Sequence, residues 1–171
     1  MTDAQHRALV LRAQSGDRDA FDALLAGIGP PLLRYVTSVT GDRALAQDVV
    51  QETLIAIVRK IAWLNDPSLF RAWAYRIASR EAFRALHKAR RLVVEPLAEI
   101  AFEDAPCDPW ERERLLGAIE RLSPASRAVV TLHYLEDMPL SEVAAVLDLA
   151  VGTVKSRLAY GLAQLRKESS S

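Results

Sequence analysis

The chain has one cysteine, Cys107, in 171 residues. A lone thiol cannot close an intramolecular disulfide, so a buried core must hold the fold, and a reducing cytoplasm is the expected home. No apolar run approaches the roughly 18 residues that a membrane span needs, so no membrane insertion is expected. The N-terminal MTDAQHRALVLRAQSGDRDAF scatters charge through its apolar positions, unlike a signal peptide. Histidine is sparse: His6, His87 and His133 stand apart, with no HExxH and no Cys/His pair at ligand spacing. His133, inside the apolar TLHYL, reads as a packed residue. Asp48 and Glu52 lie at i, i+4, but a solvated or partner-facing role suits them better than a metal. There is no glycine-rich phosphate loop and no alternating strand pattern. No enzyme activity, catalytic residue, metal or cofactor is therefore expected. Net charge is zero, which taken alone argues against a nucleic-acid binder.

That zero hides an asymmetry. Residues 1–91 hold 14 Lys/Arg against 9 Asp/Glu, a balance of +5; residues 92–108 hold five acids and no base; residues 109–171 carry eight of each. Half the residues are apolar, enough to bury a core, and nearly all periodic segments have helical spacing. The expected fold is all-α: two small helical domains, 1–91 and 109–171, joined by a flexible, acidic, proline-containing linker over 92–108. That linker, LVVEPLAEIAFEDAPC and its flanks, has little periodicity, and Cys107 within it reads as an incidental thiol.

Residues 4–14 are periodic and stop at Ser15-Gly16-Asp17. Asp17 or Asp19 can cap a helix through Ala26, with Gly27, Gly29 and Pro30 expected to end it. Pro31 then opens LLRYVTSVT, which stops at Gly41. The next helix runs from Asp42 to about Leu64, with Leu45, Val49, Ile57 and Ile61 marking its core face and Leu54 and Val58 beside them. Its other face carries Asp48, Gln51, Glu52, Ile55 and Arg59. An isoleucine among acids and amides suits a protein-docking surface as well as a solvated one. Residues 62–69 form a short loop holding Trp63 and Asn65.

From Phe70 to Arg91 nothing stops a helix. Phe70, Trp73, Ala74, Ile77 and Ala78 make an apolar stripe. Beside it Arg76, Arg80, Arg84 and Lys88 follow at i, i+4, Arg90 and Arg91 close the run, and Glu81 is its lone acid. Same-sign neighbours at that spacing destabilise a helix by a few tenths of a kcal/mol each, a repulsion that a polyanion would relieve. Trp73 and Tyr75 flank the row. A solvated face is the plainer reading of any charge run; four bases in register favour nucleic acid.

Helical patterning resumes at Pro109 with WERERLLGAIERL. Ser123 and Pro124 open the following helix as cap and first turn. PLSEVAAVLDL begins with Ser141 as expected cap and turns Val143, Ala144 and Leu147 inward. After a break at Leu149-Ala150, VGTVKSRLAYGLAQLRK places Val154, Leu158, Leu162 and Leu165 on one side. Thr153, Ser156, Arg157 and Tyr160 fall on the other, flanked by Lys155 and Arg166. Two helices joined by a tight turn, the second presenting hydroxyls and a guanidinium, suit a helix-turn-helix entering a major groove.

Three segments in order, DVVQETLIAIVRK (48–60), FRAWAYRIASREAFRAL (70–86) and LSEVAAVLDLAVGTVKSRLAYGLAQL (140–165), resemble the extracytoplasmic-function group of bacterial RNA polymerase sigma factors. The resemblance implies partners: core RNA polymerase through its two largest subunits, promoter DNA, and an anti-sigma factor answering to a stress. It implies that Asp48, Gln51, Glu52, Ile55 and Arg59 dock on the clamp helices of the largest subunit. Trp63, Asn65, Arg76, Arg80, Arg84, Lys88 and Arg91 would open and hold the minus-ten element. The second domain would sit on the flap of the other large subunit, with Thr153, Lys155, Ser156, Arg157 and Tyr160 at the minus-thirty-five element. The inhibitor is expected to cover the Asp48–Arg59 face and wedge the domains apart. The chain departs from the family where Arg80 replaces a common Asn and Arg84 an acid. It also has Tyr160-Gly161-Leu162 where an Arg-x-Arg run is usual, and Ala150 in place of a serine cap. Gly161 is expected to weaken the helix by about 1 kcal/mol, and binding of the upstream element by this domain alone is expected to be weak. The rival readings are a sigma-like mimic that sequesters an anti-sigma factor without starting transcription, and a helix-turn-helix repressor with an N-terminal interaction domain.

Overall fold

The structure is a computed structural model that describes residues 3–90 and 121–169, with side chains over 5–89 and 121–165. The expectations for the 92–108 linker, Cys107, Arg91, the helix from Pro109 and the Arg166 side chain lie outside these bounds.

Helix α1 (Asp3–Gln14) stops at Gly16, whose φ of +90° suits a residue without a Cβ. Asp17 then caps α2 (Arg18–Thr40), its Oδ1 accepting from Ala20 N at 3.0 Å, while Arg12 Nε donates to Oδ2 at 2.8 Å. The backbone N–H first and the guanidinium second hold the Asp17 carboxyl below its usual range. Asp17, rather than Asp19, is the cap.

Helix α2 corrects the expected break. It runs unbroken through Gly27, Gly29, Pro30 and Pro31 to a left-handed Gly41. The two prolines forfeit two N–H donors and crowd the carbonyls four residues back, at about 3 kcal/mol each. Leu24, Ile28, Leu32, Tyr35, Val36 and Val39 form one buried stripe across them. At about 1.5–3 kcal/mol per buried side chain, that stripe outweighs the local cost.

Asp42 caps α3 (Arg43–Lys60) by accepting from Ala44 N at 2.8 Å and Leu45 N at 3.1 Å. Its buried set is Ala46, Val49, Val50, Thr53 and Ile57, a face turned about one residue from the expected one. Leu45 and Leu54 are half-buried, and Val58 is exposed. Both α2 and the later basic helix pack on α3, so its core face must reach Val50 and Thr53; the Thr53 hydroxyl is satisfied by Val49 O at 2.8 Å. The helix ends at Lys60, earlier than expected, and Ile61–Trp63 and Pro67–Leu69 form single 3₁₀ turns. Asp66 caps the second, its Oδ1 accepting from the Ser68 hydroxyl at 2.6 Å and Ser68 N at 2.9 Å. Those bonds keep its carboxyl low. Helix α4 (Phe70–Arg90) follows.

In the second module Ser123 caps α5 (Pro124–Val130), accepting from Ser126 N at 3.3 Å, with Pro124 in the first turn. The chain continues as one π-helical turn, Thr131–Leu135. Helix α6 (Leu140–Leu147) starts after Pro139 with no side-chain cap, so Ser141 already lies inside it. Asp148 closes α6 in the left-handed region, φ 60° and ψ 44°, and α7 (Val151–Ser169) follows. Val143, Ala144, Val154, Leu158, Leu162 and Leu165 are buried as expected. Among the described residues there is no strand. The modules pack on each other, α2 against α5 and α4 against α6.

Candidate nucleic-acid and polymerase interfaces

On α3, Asp48, Gln51, Glu52 and Arg59 are exposed. Ile55 is half-buried, so it is not the bare apolar residue its neighbours suggest; Val58, 49% exposed, fills that role. The face thus mixes exposed charged and amide groups with a half-buried isoleucine, and Val58 stands exposed at its rim beside Gln51.

Trp63 is 75% exposed and Leu69 54%, while Asn65 is exposed between the two turns. Trp73 is half-buried, its ring 6.2 Å from that of Phe70, and belongs to the packing. Tyr75 is fully buried, which removes it from any nucleic-acid surface. Its ring stands edge-on to Tyr35 at 5.3 Å.

The basic row of α4 does reach the surface. Arg80, Arg84 and Lys88 are exposed and Arg76 is half-buried. Part of its repulsion is relieved by Asp148, a carboxylate that helical spacing does not reveal. Arg76 Nη2 donates to Asp148 Oδ1 at 3.4 Å and Arg80 Nη2 to Asp148 Oδ2 at 3.3 Å. Arg84 pairs with Glu81. One turn earlier, Arg71 reaches Glu136 Oε2 at 3.2 Å and its backbone oxygen, and the Tyr75 hydroxyl also donates to Oε2. Burial first, then the Glu136 hydrogen bond and charge, push the Tyr75 phenol above its ordinary value.

Two further contacts close the module boundary. Arg127, only 8% exposed, donates through Nη1 to Ser38 O at 2.9 Å and through Nη2 to Leu122 O at 2.8 Å. It thus sets a cation at the C-terminal end of α2, whose own last turn has no basic residue. Ser38 and Thr131 hydroxyls meet at 2.9 Å. Sequence reasoning missed Arg127, Glu136 and Asp148; a lone arginine within the apolar ASRAVVTL was the one available signal.

On α7, Thr153, Lys155 and Ser156 are exposed, and Arg157 and Tyr160 half-buried, so the expected reading face is open. Gly161 has a packing role that helix propensity does not reveal. A Cβ there would meet Val130 Cγ2 at 2.9 Å and Leu122 Cδ1 at 3.4 Å. The glycine lets α7 approach α5, and with Leu162 buried neither residue faces a phosphate. His133 is half-buried, its Nδ1 2.8 Å from Met138 O. Among the described residues no group of acids, histidines or cysteines is placed to hold a metal, and no helix is long and apolar enough to cross a membrane.

Comparison with known proteins follows the same two modules. Residues 24–92 match the family described as Sigma-70 region 2, and residues 112–165 match Sigma-70, region 4. The RNA polymerase sigma-H factor of Pseudomonas aeruginosa is 31% identical over 92% of this chain and 90% of its own length. The ECF RNA polymerase sigma-E factor of Haemophilus influenzae is 33% identical over 89% of this chain and 88% of its own. Among solved structures, CnrH in complex with the cytosolic domain of CnrY is 28% identical, with a TM-score of 0.71, over 96% of this chain and 97% of that one.

Proposed function

Because this chain belongs to the sigma-70 family, as an extracytoplasmic-function sigma factor, we propose that it binds core RNA polymerase, opens a promoter with its first module and anchors upstream with its second. In this reading the Asp48–Arg59 face docks on the largest subunit, and the first module spans 1–91. The loop bearing Trp63 and Asn65 meets unpaired bases. Arg76, Arg80, Arg84, Lys88 and Arg91 hold phosphates, which position DNA without reading it. Thr153, Lys155, Ser156, Arg157 and Tyr160 reach the upstream element from the 109–171 module. The chain works in the cytoplasm.

The observation that carries this reading is the row on α4, which already holds an anion. Asp148 stands against Arg76 and Arg80 as a phosphate would, so DNA and the second module compete for one set of guanidiniums. The packed arrangement is therefore a resting form, and promoter opening requires its separation. An exposed ion pair contributes about 0–1 kcal/mol, so polymerase and DNA can displace it.

Control by an anti-sigma factor fits the same geometry. CnrH carries the cytosolic domain of CnrY in the structure it shares this fold with. An inhibitor of this chain would cover the Asp48–Arg59 face and wedge the modules apart, which breaks the exposed Asp148 pairs on α4, of about 0–1 kcal/mol each. The alternative, a mimic that occupies an anti-sigma factor and starts no transcription, is favoured by the zero net charge and by Tyr160-Gly161-Leu162 on the second-module helix, while the basic row argues against it. Run-off transcription with core polymerase separates the two. The sigma reading expects promoter-dependent transcript, and no transcript from any genomic fragment would leave the mimic standing. For the docking face, Ile55→Arg is expected to weaken core polymerase binding at least tenfold in a pull-down titration; unchanged binding of polymerase and inhibitor would mean the surface is misassigned.

A further inference from the structure

Helix α1 holds none of the residues assigned to polymerase or DNA, yet its last residue reaches the strand-opening loop. Gln14 Nε2 donates to Ile61 O at 2.9 Å and to Leu64 O at 2.8 Å, across 47 and 50 residues of chain. A side-chain amide has two N–H donors, and both are spent on the carbonyls that bracket Ala62 and Trp63. The turn so held, Ile61–Trp63, is a single 3₁₀ turn with poor intrinsic hydrogen-bond geometry. Trp63 is 75% exposed, so its own packing does little to fix it. The rest of α1 supports the same loop. The helix packs on both turns, Arg7 lies near enough to Asp66 to help keep that carboxyl low, and the His6 ring is 5.5 Å from Phe70.

We propose that Gln14 is a positioning residue for promoter opening: its amide locks the 61–64 turn so that Trp63 is presented, already ordered, to an unpaired base. This rests on the reading that the loop contacts opened DNA. An indole held in place binds without paying again for the order of its loop, whereas a turn without Gln14 samples several states and only a fraction of them stack.

The test is a double-mutant cycle in the full chain with core polymerase, read as permanganate reactivity of a promoter taken from the transcripts that this pair initiates. Gln14→Met keeps nearly the same length and removes both donors; Gln14→Lys restores an ammonium donor. Trp63→Ala alone is expected to lower open-complex formation about fivefold or more, the scale of a lost base–aromatic stack. Gln14→Met should lower it about threefold or more in the Trp63 background and change nothing further once Trp63 is alanine, a coupling that a general loss of stability does not produce. Gln14→Lys should recover part of the loss, and polymerase binding should hold throughout. If Trp63→Ala has no effect, the loop does not contact DNA. If Trp63→Ala is harmful but Gln14→Met is harmless, or costs the same factor in both backgrounds, the positioning role is wrong and the DNA reading survives. Should Gln14→Met melt below the assay temperature, Gln14→Asn, which withdraws the amide by one methylene, takes its place under the same criteria.

Discussion

Gly161 shows how one residue can be read in opposite directions. As a helix residue it is a weakness, worth about 1 kcal/mol against alanine. In the fold it is the point where α7 meets α5, and an added Cβ would lie 2.9 Å from Val130 Cγ2. Overpacking of that kind costs about 1–3 kcal/mol, so Gly161→Ala is expected to destabilise the protein in denaturant unfolding despite its better propensity. A gain in stability would refute the close-packing account. Tyr35 makes a second case. It is fully buried, its hydroxyl meets Ser79 Oγ at 2.7 Å, and burial raises its phenol above the ordinary value; Tyr75 is shifted the same way. A phenol whose folded value is raised gives stability that is whole below about pH 10 and is lost as the pH climbs past that unfolded value. Unfolding free energy should thus fall steeply above about pH 10. Tyr35→Phe should flatten part of that fall while costing about 0.5–1.5 kcal/mol at neutral pH. An unchanged alkaline limb would contradict the assignment.

At the scale of elements, periodicity marked the helical segments but split α2 into two, and it did not show how neighbouring helices would use each face. The face of α3 was legible in Val49 and Ile57, yet its centre shifted to Val50 and Thr53 because helices flank it on two sides. The caps Asp17, Asp42 and Ser123 are local chemistry, and the first and last were readable as such. Ser141 was not a cap, because α6 begins at Leu140, two residues sooner than a Ser141 cap would start it. Pro30 and Pro31 are the clearest case of tertiary burial overriding a local stop signal. Pro30 is exposed, and Pro30→Ala is expected to keep the fold and raise stability by up to about 3 kcal/mol, read as a higher melting temperature. A fall instead would show that α2 depends on the bend a proline gives it.

The molecule as a whole holds what no window of sequence could show. Arg80 and Arg76 lie 68 and 72 residues from Asp148, so a count of i, i+4 neighbours finds repulsion where the fold has pairing. The open faces of α3 and α7, and the loop around Trp63, were legible because exposure follows from a single helix or turn. The module boundary was not, because it depends on which surfaces the intervening chain allows to meet. Arg127 is its most buried charge, and Arg127→Met should cost about 2–4 kcal/mol by leaving the Ser38 and Leu122 carbonyls without its donors. Asp148→Asn keeps a residue tolerant of positive φ and should shift the chain toward a larger radius of gyration, most visibly at low salt where exposed pairs count for most. If that radius matched the unmodified chain at every ionic strength, the pairs would not hold the modules together.

The central claim is that guanidinium and ammonium groups on α4 grip strands opened with the help of polymerase. The direct measurement is permanganate footprinting of promoter complexes formed by core polymerase with a variant in which Arg76, Arg80, Arg84 and Lys88 are all changed to glutamine. Removing these charges also frees Asp148, so a looser module boundary alone would, if anything, aid opening. The account predicts loss of the reactive thymines with polymerase binding retained; a footprint as strong as that of the unmodified chain would contradict it.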